Sequence, residues 1–414
     1  MSYIYIMQLI YYLSLIPFVI YAIRHYVIGS LAIIYHIRKK RANNHSFYDV
    51  GNITISVIIP CHNEESVIGD TIRHLINQDL PPYVKGYEII VVDDASTDRT
   101  PDILKKYSEL WPTMIKVIRK EKAEGKAKAL NYGIKHSNGD IIVIIDADHF
   151  LERSTIHKLT DMIVKGKAEI VQGACVIRNE TDNILTRLIA TDYYGGYYAD
   201  LPGRTFLRSC PIAGSNVAIK RSVFEKIGLF DEGILAEDTE FTIRAILNGY
   251  EVKYIVDAKS SEEAVTSIRS YINQRRRWVN GHMNVLKKYL IKTILSKNLK
   301  IYEKIELLLF EFIYTVPIVG FFSIIFWLVI YLTHINLGTN VIFSSIQFGL
   351  FMLLALFYEL FVGLLFAGKL RNLIYLPLYI IKSYLDIIVV LIGTIDFIMG
   401  RKKWIKTERR KSRP

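Results

Sequence analysis

The sequence predicts an α/β domain on a mainly parallel sheet, held between membrane helices near both ends of the chain. Three observations carry this. Apolar residues make up 51% of the 414 residues, mean hydropathy is +0.23 despite 22% charged residues, and the longest apolar runs lie near the two ends. Between them, from Gly51 to about Leu290, short β-branched runs alternate with helical patterns. Acidic residues stand where several of those runs stop. So apolar a composition excludes a disordered chain. The three cysteines (Cys61, Cys175, Cys210) lie far apart, which excludes a disulfide scaffold or zinc ribbon and fits a reducing compartment.

Residues 1–23 carry no charge, and Ile4 to Ile23 is almost wholly apolar. A bilayer core takes roughly 20 residues of helix. The run is too long for a signal-peptide core and has no small-residue cleavage site. Arg24 and His25 interrupt it, Tyr26 to Tyr35 resumes it, and Arg38, Lys39, Lys40 and Arg41 close it. The expectation is one long membrane helix within a membrane region over 1–37, with a helical hairpin as the alternative.

A soluble domain is expected over 50–285. Ile53 to Pro60 reads as a buried parallel strand, and Asn63 can cap a helix running to about Gln78. Tyr87 to Val92 is a second strand, ending at Asp93 and Asp94. Thr100-Pro101 opens a helix with a cap and a proline at the first position. Ile115 to Ile118 is a strand, Gly125 to Lys135 a helix, and Ile141 to Ile145 a strand ending at Asp146. Ser154 opens another helix, and Glu169 to Val176 follows as a strand. In such sheets ligands sit beyond the carboxyl ends of the strands, where Asp93, Asp94, Asp146 and Asp148 fall.

A membrane region over 300–400 holds about three apolar segments. Phe312 to Leu332 is uncharged, Val341 to Ala367 carries only Glu359, and Leu373 to Met399 carries Lys382, Asp386 and Asp396. Residues 401–414 form a tail with eight basic residues and one acidic, over half of the net +12. Basic segments beside spans stay cytosolic and touch anionic headgroups. Three full C-terminal spans would put that tail outside, so Leu373–Met399 is expected to be an interfacial helix plus a re-entrant or hairpin segment.

Five groups of residues have the chemistry of a site. The i, i+2 carboxylates Asp146 and Asp148 suit a hard cation such as Mg²⁺ that keeps phosphate oxygens among its ligands; a turn is the plain alternative. Asp93 and Asp94 can accept hydrogen bonds from a base or ribose, or simply cap a helix. Lys126, near a helix N-terminus, suits a diphosphate. Glu237-Asp238 can supply a general base, or acids favoured by a helix dipole. In Gln274-Arg275-Arg276-Arg277-Trp278, arginine suits phosphate and tryptophan a sugar face or the membrane interface. The run Tyr193-Tyr194-Gly195-Gly196-Tyr197-Tyr198 reads as core filler rather than sugar-stacking surface.

Seven ordered motifs together resemble the processive family 2 glycosyltransferases, the cellulose, hyaluronan and poly-N-acetylglucosamine synthases. They are SVIIPCHNEE from Ser56, VVDDAST from Val91, GKAKALNYG from Gly125, IIDAD ending at Asp148, GSNVAIKR from Gly214, FDEGILAEDTEFT from Phe230 and QRRRW from Gln274. The resemblance implies a GT-A (Rossmann-like) domain on the cytosolic face of the cell membrane. It implies a UDP-sugar donor, UDP-GlcNAc or UDP-glucose, and one Mg²⁺ or Mn²⁺ ion. Glu64 and Asp94, with Asp93 adjacent, are then expected to hold the uridine, and Lys126 and Asp146 the diphosphate. Asp148, with Asp146, is expected at the metal. Asp238, with Glu237, is expected as the catalytic base. Gln274, Arg275, Arg277 and Trp278 are expected to grip the pyrophosphate and the acceptor. The family motif DDG is DDA here, at Ala95, and the residue before Glu237, often threonine, is Ala236. The implied reaction is inverting extension of a β-linked polysaccharide, with single transfer to a membrane lipid as the alternative. The acceptor is a glycan or lipid-linked, lipids are partners, a small membrane partner subunit is possible for a polymer channel, and nucleic acid is not a partner.

Overall fold

A computed structural model describes residues 2–41, 52–335 and 337–401; the basic tail beyond Arg401 lies outside them. The strands are β1 (Ile53–Cys61), β2 (Val84–Asp93), β3 (Ile115–Arg119), β4 (Ile141–Ile144), β5 (Phe150–Leu151), β6 (Ile170–Ile177), β7 (Val217–Lys220) and β8 (Val252–Glu262). The first ten helices are α1 (Ser2–Arg41), α2 (Ile68–Ile76), α3 (Thr100–Leu110), α4 (Lys126–Lys135), α5 (Thr155–Val164), α6 (Ile184–Gly195), α7 (Leu201–Thr205), α8 (Arg221–Ile227), α9 (Glu237–Leu247) and α10 (Ile268–Leu295). Four more follow, α11 (Ile301–Glu311), α12 (Thr315–Leu332), α13 (Thr339–Phe366) and α14 (Leu376–Ile398).

The strands form one eight-stranded sheet in the order β3-β2-β1-β4-β7-β6-β8-β5. β1, β2, β3 and β4 pair in parallel, as the buried β-branched runs predict, whereas β7 enters antiparallel between β4 and β6. The sheet is therefore mixed. Side chains alternate along β1: Val57 and Ile59 pack with α2 and α5, while Ile58 packs with α4 on the other face. Burial on both faces is why these strands read as unbroken apolar runs.

Among the described residues, four helices are long and apolar enough to cross a membrane: Ile4–Arg41, Thr315–Leu332, Val341–Phe366 and Leu370–Ile398. α1 is one continuous helix containing Pro17, not a hairpin. Its first half meets α12 and the segment before α13, where Tyr11 stacks on Phe326 and Gln8 bonds the Leu337 carbonyl. Its second half packs on the soluble domain: the Tyr35 hydroxyl donates to the Tyr254 carbonyl, and Lys39 pairs with Asp257. At the changeover, buried Arg24 bonds Glu306 of α11 at 2.8 Å and Asp200 at 3.1 Å. Beside it, His25 bonds Glu359 of α13 at 2.5 Å.

α14 is one uninterrupted helix rather than a hairpin, and its later part packs against the first half of α10. Tyr379 and Lys382 bond Asp192, Asp386 accepts from Tyr271, and Asp396 accepts from Arg276 at 2.6 Å. Asn280 of α10 reaches the Arg401 carbonyl at 2.7 Å. The charges that made this segment a poor span are thus bonded to the soluble domain. Its exposed face is the apolar stripe Ile381, Tyr384, Ile388, Ile395 and Ile398.

Candidate active site

Two clefts open side by side beyond the ends of β1, β2 and β4. The smaller, about 390 Å³, is lined by His62, Glu64, Asp94, Glu124 and Gly125, among others. The larger, about 440 Å³, is lined by Asp148, Asp192, Glu237, Asp238 and residues of α10. Lys126, Asp146 and Arg277 line both.

The smaller cleft is built from loops that acidic side chains tie together. Asp94 accepts Lys120 Nζ at 2.8 Å and the backbone N–H groups of Glu124 and Gly125 at 3.0 and 2.7 Å. It thereby fixes the loop that leads to Lys126. Glu64 is buried on the cleft wall. Asp93 is buried too, but its carboxylate takes the Ser96 N–H at 2.9 Å and faces Arg119 at 3.6 Å, and it lines neither cleft. Ala95 sits at φ 57°, which explains the glycine in the family motif. A left-handed alanine costs about 1–2 kcal/mol.

Lys126 is the first residue of α4. Its ammonium lies 2.7 Å from Asp146, 3.1 Å from the Gly214 carbonyl and 3.5 Å from Glu237. Burial works against its charge, but Asp146 and Glu237 outweigh burial and raise its pKa. Donor atoms of Asp146, Asp148 and His149 lie within 4.8 Å of one another. Two carboxylates at a strand end, open to the larger cleft, fit Mg²⁺ or Mn²⁺. His149 stands beside them, but both its ring nitrogens are engaged, one 3.0 Å from Ser260 Oγ and the other 3.2 Å from Glu262 Oε2, so the ring reaches an ion only by giving up one of these bonds.

Asp238 stands in the first turn of α9. Burial and neighbouring Glu237 push its carboxyl up to about 6, against the opposing pull of Lys126 and the Thr239 N–H. Gly214, at φ 76°, lets the chain pass close by: a Cβ there would come within 2.9 Å of Asp238 Oδ2. On α10, Gln274, Trp278 and His282 recur every four residues and line the larger cleft. Arg275 also lines it, with its guanidinium 4.1 Å over the Trp278 ring and 3.8 Å from Asp192. Tyr193 and Tyr197 line the cleft, whereas Tyr194 and Tyr198 belong to the core. The tyrosine run is therefore divided, not core throughout. One turn of π-helix, Gly196–Asp200, carries Tyr197 and Tyr198, and such turns often mark functional sites.

The expected site residues other than Asp93 thus border two adjoining clefts, with Lys126, Asp146 and Arg277 at the junction. Gly214, His149, Tyr193, Tyr197 and His282 are additions the sequence reading missed.

A family model described as Glycosyl transferase family 2 matches residues 56–228. The chain is 36% identical over 251 residues to a "Probable glycosyltransferase YdaM" of Bacillus subtilis, covering 60% of this chain and 59% of that protein. It is 29% identical over 233 residues to a "Beta-monoglucosyldiacylglycerol synthase" of Synechocystis, covering 55% of this chain and 47% of the relative. It is 28% identical over 265 residues to a "Poly-beta-1,6-N-acetyl-D-glucosamine synthase" of Staphylococcus epidermidis, covering 62% and 60%. The matches span about half to three-fifths of these relatives' lengths. In fold, the chain is similar to a mannosyltransferase from Pyrobaculum calidifontis solved with GDP-Man and Mn²⁺, with TM-score 0.60, 20% identity and coverage of 92% of this chain and 98% of that one.

Proposed function

We propose, from the premise that the chain carries a family 2 glycosyltransferase domain of GT-A fold, that it is an inverting, membrane-bound glycosyltransferase using a nucleotide-sugar. The observation that carries the proposal is the junction: Lys126, Asp146 and Arg277 line both clefts, and Asp238 lines the larger one. The nucleoside occupies the smaller cleft beside Glu64, on the loop that Asp94 holds in place. Lys126 and Arg277 bind the diphosphate, and the sugar lies across the junction. Asp146 and Asp148 would hold the cation, which when bound would neutralise charge on the leaving diphosphate. Asp238 Oδ2 takes the proton of an acceptor hydroxyl as its oxygen bonds to the anomeric carbon. The bond from that carbon to the diphosphate breaks on the opposite face, and the nucleoside diphosphate leaves. The raised Asp238 carboxyl gives a base stronger than an ordinary aspartate, yet one that is ionised at neutral pH.

The chain meets the membrane through three spans, α1, α12 and α13, with α14 in the cytosolic interface. Asp396 bound to Arg276 and Asn280 bound to the Arg401 carbonyl support this reading. It keeps the basic tail on the cytosolic side and resolves the orientation problem that a fourth span creates. α1 packs against both other spans. Three helices each about 10 Å across leave no sugar-wide lumen when packed together. This arrangement favours an acceptor carried by a membrane lipid over unaided export of a polymer. Extension of a β-linked glycan remains the second reading, supported by the poly-N-acetylglucosamine synthase relative.

The test uses the full chain in lipid nanodiscs containing diacylglycerol, with UDP-glucose, UDP-GlcNAc, UDP-galactose and GDP-mannose in turn and Mg²⁺ or Mn²⁺. Nucleoside diphosphate release with a one-sugar lipid supports the favoured reading. A ladder of long glycans supports the second. No release from any donor overturns both.

A further inference from the structure

His282 has no part in the proposed chemistry, yet it lines the larger cleft two helical turns beyond Gln274. Its ring sits edge-on between Phe310 and Tyr314, with centroids 5.7 and 5.0 Å away. Its Nε2 lies 3.1 Å from Thr239 Oγ1. Thr239 in turn donates its N–H to Asp238 Oδ1 at 2.7 Å, and its hydroxyl lies 3.4 Å from the same oxygen. A threonine hydroxyl has one proton and two lone pairs. If the imidazole donates to Oγ1, that proton is committed to Asp238 Oδ1. Both Thr239 donors then hold Oδ1, and Oδ2 is left at the Gly214 side of the cleft.

Resting on the assignment of Asp238 as base, we infer that His282 is a positioning residue that acts through the Thr239 hydroxyl to hold the Asp238 carboxylate in its reactive orientation. Other groups around the pair fit this role. Lys126 of α4, Glu237 of α9 and Asp146 after β4 set the charge near Asp238. Burial, reinforced by the Arg204 guanidinium of α7, lowers the His282 pKa to about 4. The ring therefore stays neutral at working pH and supplies a fixed donor rather than a charge. Holding a base in line matters because a small misplacement of a reacting group is costly.

The experiment measures kcat, acceptor KM and donor affinity for His282→Phe, His282→Gln, Thr239→Val, Thr239→Ser, the Thr239→Val/His282→Phe double variant and Asp238→Asn, all as full chains in nanodiscs with the best donor of the panel. Phenylalanine keeps the ring packing and removes the donor; glutamine restores a donor. His282→Phe and Thr239→Val should each lower kcat roughly tenfold with donor affinity unchanged. Glutamine and serine should recover most of it, and the double variant should lose no more than the worse single one. A role in packing alone would leave no rescue by glutamine and losses that multiply, and either result overturns the inference. Full kcat in His282→Phe overturns it too, while an inactive Asp238→Asn leaves the base assignment standing. An active Asp238→Asn sinks the base assignment itself.

Discussion

The two clefts are built in opposite ways. In the smaller one, the Asp94 carboxylate is already engaged by the protein, gathering Lys120 and two backbone N–H groups. In the larger one, Asp238 and Glu237 stand side by side in a buried turn with Lys126 nearby, and one carboxyl is pushed upward as a result. The first arrangement spends acidic groups on fixing loop shape; the second keeps a strained charge available. That contrast separates holding a ligand from reacting with it. It also ranks what mutation should do.

The largest effect is expected at Asp238. Asn keeps the shape and removes the basic oxygen, so turnover should fall about 10²–10⁴-fold while donor affinity is retained. The same substitution should stabilise the protein. Because the folded carboxyl is raised to about 6 from 3.8, the folded state favours the protonated form. The stability this gives is full below pH 3.8 and lost as pH rises through 6. Asn mimics the protonated form, so thermal melts without added metal should show a gain at pH 7.5 that fades toward pH 4. Wild-type kcat/KM should fall about tenfold per pH unit below 6. A melt that favours wild type at pH 7.5 would erase the contrast between the clefts.

Next in size is the cation. Chelation should abolish turnover, and Mn²⁺ or Mg²⁺ should restore it. Asp148→Ala should leave turnover low at any metal concentration tested. His149→Ala should instead raise the metal concentration needed, about 10-fold or more, by removing the support that His149 gives beside Asp148. If His149→Ala titrates like wild type, the histidine belongs to the Glu262 network alone.

The smaller cleft should respond through shape. Asp94→Asn weakens the loop that presents Lys126, so donor affinity should drop roughly tenfold with little change in kcat. Asp93→Asn should lower the melting temperature and leave donor affinity near wild type. Calorimetric titration of nucleoside diphosphates into both variants checks the pair; equal losses of affinity would put Asp93 at the ligand after all.

How legible this was follows the same division. β1, β2 and β4 were readable because burial on both faces produces unbroken β-branched runs, and their ends place Asp94 and Asp146. β7, only four residues long and antiparallel, leaves no such trace within GSNVAIKR. Gly214 has no role legible within that motif, since its closeness to Asp238 depends on the fold. His149 adjoins Asp148 but gains its meaning from Ser260 and Glu262, far along the chain. The tyrosine run misled because a helix followed by a π turn divides neighbours between cleft and core, which a run of identical residues does not reveal. In the C-terminal region, hydropathy alone makes α14 a span; only its bonds to Asp192, Tyr271 and Arg276 show where its charges go.

The smallest expected effect tests that last point. Gly393 lies where α14 crosses α10, and a Cβ there would come 2.7 Å from Val279 Cβ and 3.1 Å from the Arg276 carbonyl. Gly393→Val cannot be absorbed by a flexible side chain, so α14 must move off α10. Val279 adjoins Trp278 and Arg276 adjoins Arg277, both on the cleft. A displaced α14 should loosen that wall and lower kcat about two- to fivefold, with metal dependence unchanged. If α14 instead crossed the bilayer, a cysteine at Lys411 would react with a membrane-impermeant reagent from outside intact cells. Labelling only after lysis, together with the modest loss in Gly393→Val, is the result expected of a helix lying in the cytosolic interface as the back wall of the acceptor cleft.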